Sequence, residues 1–392
     1  MKIIVFGGDG FCGWPVALNL SKDHEVMIFD SLTRRDGDTF SPSLTKIHSP
    51  ADRCAAAGIQ FVQGWADQPN HVFEIVEEFR PDVVIHFAEQ RSAPWSMLSS
   101  ANRILTVERN LMSTQCILEA IAKFKPDTHI IHLGTMGVYG YSTTDDPIPE
   151  GYVNATIGGE SETQNGKTVT LGGTRQSIVY PASPGSVYHM TKVLDHTMFQ
   201  FYAKNWNLKI TDLHQGIVWG TETEDTKSNP VFTNRFDYDG EYGTVLNRFL
   251  MQAVSNIPLT VYGTGGQTRA FIHIQDTVRC VRAAVESGTS PDTDFSQPRV
   301  FNQVTECLNV KKLAELIQRH TGCQIDYLPN PRKEKAENDL NVSSTLAKVG
   351  GFEPITLDSN LGLMAEVQDI VVANSDRIQP ELVYSKANWH KA

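Results

Sequence analysis

Five consecutive residues, Tyr188-His189-Met190-Thr191-Lys192, carry the clearest chemistry in this 392-residue chain. A tyrosine and a lysine four apart on a helix project from one face, one turn apart. An ammonium beside a phenol favours the phenolate, so Tyr188 reads as a general base held ready by Lys192. His189 follows directly, and imidazole is the side chain most readily tuned to move protons near neutrality. It sits about 100° round the helix from Tyr188. The helix alone therefore does not bring both groups into one cleft, and a buried histidine making one hydrogen bond is the competing reading.

The opening of the chain supplies a partner for that base. Residues 2–6 form a short apolar run, and Gly7-Gly8-Asp9-Gly10-Phe11-Cys12-Gly13 follows. A helix from Trp14 and a second strand ending in Asp30 come next. Gly7 permits the tight turn, Gly10 admits a pyrophosphate, and Gly13 lets the helix pack close to the strand. Phe11 and Cys12 lie inside this turn, and the phosphates would rest on the helix N-terminus. Asp30 is placed for a ribose 2′-hydroxyl and would repel a 2′-phosphate, which favours NAD over NADP. Arg34 and Arg35 pull the other way.

Strand and helix patterns then alternate. Strands are expected at 60–62, 82–87 and 128–133, and helices at 70–80, 104–124 and 188–206. This rhythm predicts an α/β fold with a doubly wound parallel sheet and ligands at the C-terminal strand ends. Phe87, Ala88, Glu89, Gln90 and Arg91 lie at one such end, with Thr135 and Met136 at another. Composition agrees with a large core: 40% of residues are hydrophobic. A net charge of −11 without a basic run argues against nucleic acid. The six cysteines are scattered, with no metal-ligand spacing, which fits a reduced, cytoplasmic protein. No apolar run reaches the roughly 18 residues that a membrane span needs.

With these pieces in line, the chain resembles the extended short-chain dehydrogenases that act on nucleotide sugars. The resemblance runs from the N-terminus to about residue 350. It rests on the three glycines, Asn110, Thr135, Tyr188 and Lys192, and the segment Gly266-Gln267-Thr268-Arg269. It implies a Rossmann domain with NAD over residues 1–219, and a smaller C-terminal α/β substrate lobe from 220–265 and 298–350. Residues 266–297 would return to the first domain, and 351–392 would form a helical tail. A homodimer through the helices at 104–124 and 188–206 is also implied.

The strings around Gly7–Trp14, His86–Pro94, Leu133–Gly137 and Tyr188–Lys192 are similar to the branch of that family that adds sulfite to a sugar nucleotide. The substrates implied are UDP-glucose and sulfite, the latter free or channelled from a partner protein. Tyr188 would take the sugar's 4-hydroxyl proton, Thr135 would bind the same oxygen, and Lys192 would hold the nicotinamide ribose. The related 4,6-dehydratases carry an Asp-Glu pair after the threonine. Here those positions are Met136 and Gly137, which can neither donate nor abstract a proton. His189 is therefore the candidate for the C5 proton. Arg91 and Gln90 are candidates for sulfite, Arg269 and Arg332 for the diphosphate, and Thr260, Val261 and Tyr262 for uracil. Gln215, Asn302 and Gln303 are further substrate candidates, and Gln215 is also a cofactor candidate. Trp65 stands where relatives place an adenine-binding acid, and Asp67 is its expected substitute. An NAD-cycling 4-epimerase and a non-catalytic NAD sensor are the competing functions.

The stretch 141–185 is longer than a simple connection, with a hairpin expected over 160–171 around Asn165-Gly166. Its length suggests a lid over the sugar.

Overall fold

The computed structural model describes residues 1–37, 39–140, 146–164, 167–357 and 361–389. Seven parallel strands form the main sheet: β1 (Lys2–Phe6), β2 (Glu25–Asp30), β3 (Gln60–Gln63), β4 (Val83–His86), β5 (His129–Thr135), β6 (Lys209–Gln215) and β7 (Arg299–Gln303). Their order is β7-β6-β5-β4-β1-β2-β3. The chain reverses direction across the sheet between β1 and β4, and a crevice opens there at the strand ends.

Alternation along β1 explains the layers. Ile3 and Val5 face one side and pack with Trp14, Ile274 and Val278. Ile4 and Phe6 face the other and pack with Val72, Ile117 and Ile121. Helix α1 (Gly13–Leu20) and helix α4 (Ile274–Gly288) cover the first face. Helix α2 (Ser100–Phe124) and helix α3 (Val187–Trp206) cover the second. Ser99 caps α2 and Ser186 caps α3, each accepting a backbone N–H three residues on.

The glycine turn is fixed by space. Gly7 has φ +75°, and a Cβ there would lie 2.6 Å from the carbonyl carbon of Phe87. A Cβ on Gly13 would overlap the carbonyl oxygen of Gly7. At Gly10 a Cβ would meet only that same oxygen, at 3.3 Å, so its outer side is open to a ligand.

The second lobe has its own core, with Trp219, Phe236, Tyr238, Phe249, Leu313 and Met364 among its buried members. Two boundaries differ from the expectation. Arg299–Gln303 is the seventh strand of the main sheet, paired with β6, and not part of the lobe. Gly266–His273 pairs with Ile217–Trp219 and Glu306–Asn309 in the lobe's sheet, so only α4 of the 266–297 stretch lies on the main sheet. Both segments have the same short apolar pattern, and periodicity does not say which sheet a strand joins. The tail helix Leu361–Ala373 packs on the helix Val245–Val254 inside the lobe.

The expected hairpin is present: Glu160–Gln164 pairs antiparallel with Lys167–Leu171. Its tip at 165–166 and residues 141–145 lie outside the described residues. A second antiparallel pair, Tyr152–Ile157 with Thr174–Val179, forms the root of the ribbon. That root sits at the β7 edge, where Tyr152 donates to the carbonyl of Pro298 at 3.1 Å. Among the described residues, none of 146–185 lines the two cavities at the strand ends. Length revealed an insertion but not the edge of the sheet it would stand on.

Gly13→Ala is expected to destabilise the protein by about 1–3 kcal/mol, because the clash is with backbone and no side chain can yield. Chemical denaturation of both proteins measures it.

Candidate active site

Two adjoining cavities open at the C-terminal ends of the strands, of about 290 Å³ and 150 Å³. They share Phe11, Cys12, Arg91, Leu133, Tyr188 and Tyr242. The smaller one is lined by Gly7, Gly10 and Gly13, by Asp30, Asp67, Phe87, Ala88 and Glu89, and by Gln90 and Lys192. The larger one is lined by Thr135, Met136, His189, Gln215, Thr260, Tyr262, Arg269 and Arg332.

Several of the expected contacts are structural. Arg35 is absent from both linings and grips Asp9 at 2.6 and 2.9 Å. Arg34 lines the small cavity but is bonded to Asp237 at 2.9 Å and lies over the Tyr242 ring at 3.5 Å. With both arginines occupied by acids, their pull toward a 2′-phosphate is weakened. Asn110 is fully buried, accepts from the Gln90 backbone N–H at 2.8 Å and donates to Thr191 at 3.0 Å. It braces the loop after β4 against α3. Asn302 donates to the carbonyls of Pro149 and Ser343, at 3.0 and 2.9 Å. Gln303 and Val261 are fully buried, and none of the three lines a cavity. Asn302 and Gln303 are consecutive on the strand and so point to opposite faces, and both are covered there.

Lys192 is buried. Its ammonium lies 2.7 Å from Glu89, 2.7 Å from the carbonyl of Leu133 and 5.9 Å from the centre of the Tyr188 ring. Burial acts against its charge, yet Glu89 and Tyr188 raise its pKa above the ordinary lysine value. Burial likewise opposes the carboxylate of Glu89, and Lys192 and His132 outweigh it, bringing the pKa down to about 2. Burial, with Asp9 nearby, pushes Asp30 up to about 6, although it accepts N–H bonds from Asp9 and Leu32.

His189 lines the same cavity as Tyr188, with ring centres 5.3 Å apart. Its imidazole occupies the space that a side chain at 137 would need: a Cβ built on Gly137 would fall against the ring. Helix geometry alone left this open, and the glycine resolves it. Burial, then Arg332 and Arg269, lower its pKa to about 3, so the ring is neutral near pH 7.

Some cavity residues carry no motif. Arg248 lies on the helix Val245–Val254 and is buried, as are Asn247 and Gln252 of the same helix. Trp389 lines the large cavity, with Arg332 over its ring at 5.2 Å. Glu334 pairs with Arg269. Tyr242 and Asp237 hold Arg34 and Arg91.

A glycine-cradled, doubly wound fold with a Tyr-Lys pair at the cavity junction defines a nucleotide-dependent oxidoreductase of the short-chain dehydrogenase class. Residues 3–302 match the model of the NAD dependent epimerase/dehydratase family, and the chain belongs to that family. Among curated relatives, UDP-sulfoquinovose synthase of the chloroplast of Spinacia oleracea is 37% identical, over 100% of this chain and 79% of its own. UDP-sulfoquinovose synthase of Sulfolobus acidocaldarius is 36% identical, over 90% of this chain and 88% of its own. The fold is also that of UDP-glucose 4-epimerase from Thermotoga maritima, with a TM-score of 0.69, 22% identity and coverage of 95% and 100% of the two chains.

Gly137→Ala is expected to displace the His189 ring and lower kcat at least about tenfold. The oxidation step, followed as reduced nicotinamide on adding substrate, should survive; its loss in parallel would argue that the glycine serves the fold alone.

Proposed function

We propose that the chain converts UDP-glucose and sulfite to UDP-sulfoquinovose, with NAD retained and regenerated in the site. The observation that carries this is the pairing of Gly137 with His189. The two positions after Thr135 lack the acid and base of a 4,6-dehydratase, and an imidazole fills the gap. Two relatives above 35% identity bearing that synthase name support the same reading.

Gly7, Gly10 and Gly13 would hold the pyrophosphate of NAD and Asp30 its ribose, and the cofactor would supply reversible oxidation of the sugar at C4. Tyr188 takes the 4-hydroxyl proton, with Lys192 favouring the phenolate and Thr135 bonding the same oxygen. The C4 ketone acidifies the C5 hydrogen, which His189 accepts as the C6 hydroxyl leaves. Sulfite adds to C6 of the resulting enone beside Arg91, which shares Asp237 with Arg34, C5 regains its proton, and C4 is reduced back to the alcohol as Tyr188 returns its proton. With bisulfite as reactant the balance closes with one water released. The diphosphate lies on Arg269, Arg332 and Arg248, and uracil lies beside Thr260 and Tyr262. Burial is the larger cause of the depressed His189 pKa, and a bound diphosphate would offset only the smaller part due to Arg332 and Arg269.

Purified protein with UDP-glucose should yield a sulfonated UDP-sugar only when sulfite is present. UDP-galactose formed equally with and without sulfite would instead make the protein a 4-epimerase. His189→Ala should stop exchange of the C5 hydrogen with solvent while bound NAD is still reduced.

A homodimer is proposed on a separate observation. Helices α2 and α3 pack together and expose Ile104, Met112, Leu194, Phe201 and Trp206 to solvent. A second copy of the same pair would cover them. Phe201→Arg should shift the protein to monomer in analytical ultracentrifugation; an unchanged mass would place any interface elsewhere.

A further inference from the structure

Beneath Lys192 lies a buried charge cluster to which the proposed reaction assigns no role. His132 on β5 is fully buried between two carboxylates. Its Nδ1 is 2.8 Å from Asp212 on β6, and its Nε2 is 3.0 Å from Glu89 after β4. Carboxylates only accept, so a bond to each needs a proton on each ring nitrogen, with Lys192, 3.0 Å from Nε2, as the competing donor there. A neutral imidazole has one N–H; this one needs two.

We infer that His132 is a permanent imidazolium, clamped between Asp212 and Glu89, and that it acts as a positioning residue holding Glu89 on Lys192 and keeping Tyr188 ionisable.

The surroundings fit. Strand register sets Asp212 directly beside His132. The other oxygen of Asp212 is taken by His196 of α3 at 3.2 Å and His214 of β6 at 3.0 Å. From α3, Asp195 stands 3.7 Å from His132 and Lys192 stands 3.0 Å away. With both its nitrogens donating, His132 has no acceptor for Lys192, so the two cations share Glu89 rather than bond to each other. His86, on the near side, is 3.4 Å from Glu89 and 3.1 Å from Thr114 of α2. Burial, then the charge of Glu89, raises Asp195 well above the ordinary carboxylate value, which favours its protonated form. The charges then balance: Lys192 and His132 against Glu89 and Asp212. Burial and Lys192 act to lower His132, and Asp212 and Glu89 push it up to about 9. Its proton is held more tightly in the folded than in the unfolded chain. The clamp therefore stabilises the fold fully below the ordinary histidine pKa of about 6.5 and loses that contribution as pH rises through about 9.

Removing the charge on His132 leaves the cluster net negative below the tyrosine. A unit charge at this range shifts a neighbouring pKa by about one unit at the effective dielectric of a protein interior. Phenolate then forms only at higher pH.

The inference rests on Tyr188 being the base of the proposed reaction, but its first test does not. Nitrogen-15 histidine NMR of the NAD-bound protein should show one histidine with both ring nitrogens protonated near pH 8. That signal should be absent in His132→Gln. In Asp212→Asn, which keeps the side chain's shape, the same histidine should lose a proton. An acid and a cation are lost together in that variant, so the acid limb of UDP-glucose-driven NAD reduction should stay in place; in His132→Gln, where Lys192 alone faces Glu89 and Asp212, it should move up by about one pH unit. The rate should fall about tenfold near pH 7 and recover near pH 9, with KM unchanged. The inference is overturned if no histidine of the folded protein keeps both protons near pH 8, or if His132→Gln loses the same fraction of rate at every pH. Failure of UDP-glucose to reduce the bound NAD would instead sink the proposed function, and the NMR result would still decide the state of His132.

Discussion

The contact on which the rest depends is the ion pair between Lys192 and Glu89. A buried ammonium carries a desolvation penalty of several kcal/mol, which only a well-placed carboxylate offsets. Glu89 is well placed because β4 ends one strand away from β5, and because Asn110 fixes the turn after β4. Lys192 reaches it because α3 lies across the same strand ends, with the carbonyl of Leu133 taking a second N–H. Sheet register, helix placement and charge are thus one constraint seen three ways. A slip of one residue in β5 would turn His132 away from Glu89 and expose the ion pair to an unbalanced acid.

The same economy governs the lobe. Asp237 bonds to Arg34, to Arg91 and to Arg235. Arg34 follows β2 on the cofactor side, Arg91 stands at the junction of the cavities, and Asp237 belongs to the lobe. Burial opposes the carboxylate, and Arg235 with Arg34 and Arg91 brings Asp237 down to about 2. One acid therefore holds three cations from both halves of the molecule. Removing it would leave buried guanidinium groups uncompensated, a costlier change than the loss of any single pair.

Much of this was legible in the chain. The glycine spacing, the acid ending β2, and the strand–helix alternation gave the sheet and the smaller cavity, because each depends on local geometry. Thr135, Tyr188 and Lys192 were legible for the same reason: strand end and helix turn are short-range facts. The remainder depends on tertiary contact. Arg35 has the composition of a phosphate ligand, and only Asp9 decides otherwise. Asn302 and Gln303 end a strand as ligands do, but that strand is the sheet's edge and both are covered there. Trp389 reaches the cavity from the far end of the chain, with no neighbouring motif. His132 reads as one more polar residue in a strand until Asp212 is seen beside it.

The pairing of Gly137 and His189 shows why a negative feature in a sequence can carry more information than a positive one. Tyr-x-x-x-Lys is shared by enzymes with many outcomes, since oxidation at C4 is common to them all. The fate of the 4-ketone is set by the groups that surround C5 and C6. A carboxylate side chain at 137 would fill the space now held by the imidazole, so the two solutions exclude each other sterically. Neutral imidazole also differs from carboxylate in kind. It adds no negative charge to a cavity that must admit an anionic nucleophile next to a diphosphate. In the proposed reaction an additional carboxylate facing the sugar would repel sulfite where it must react, with an energy that grows as water is excluded. On that proposal, methionine and glycine in place of acid and base, with histidine entering from the next helix, would serve the incoming anion as much as the departing proton.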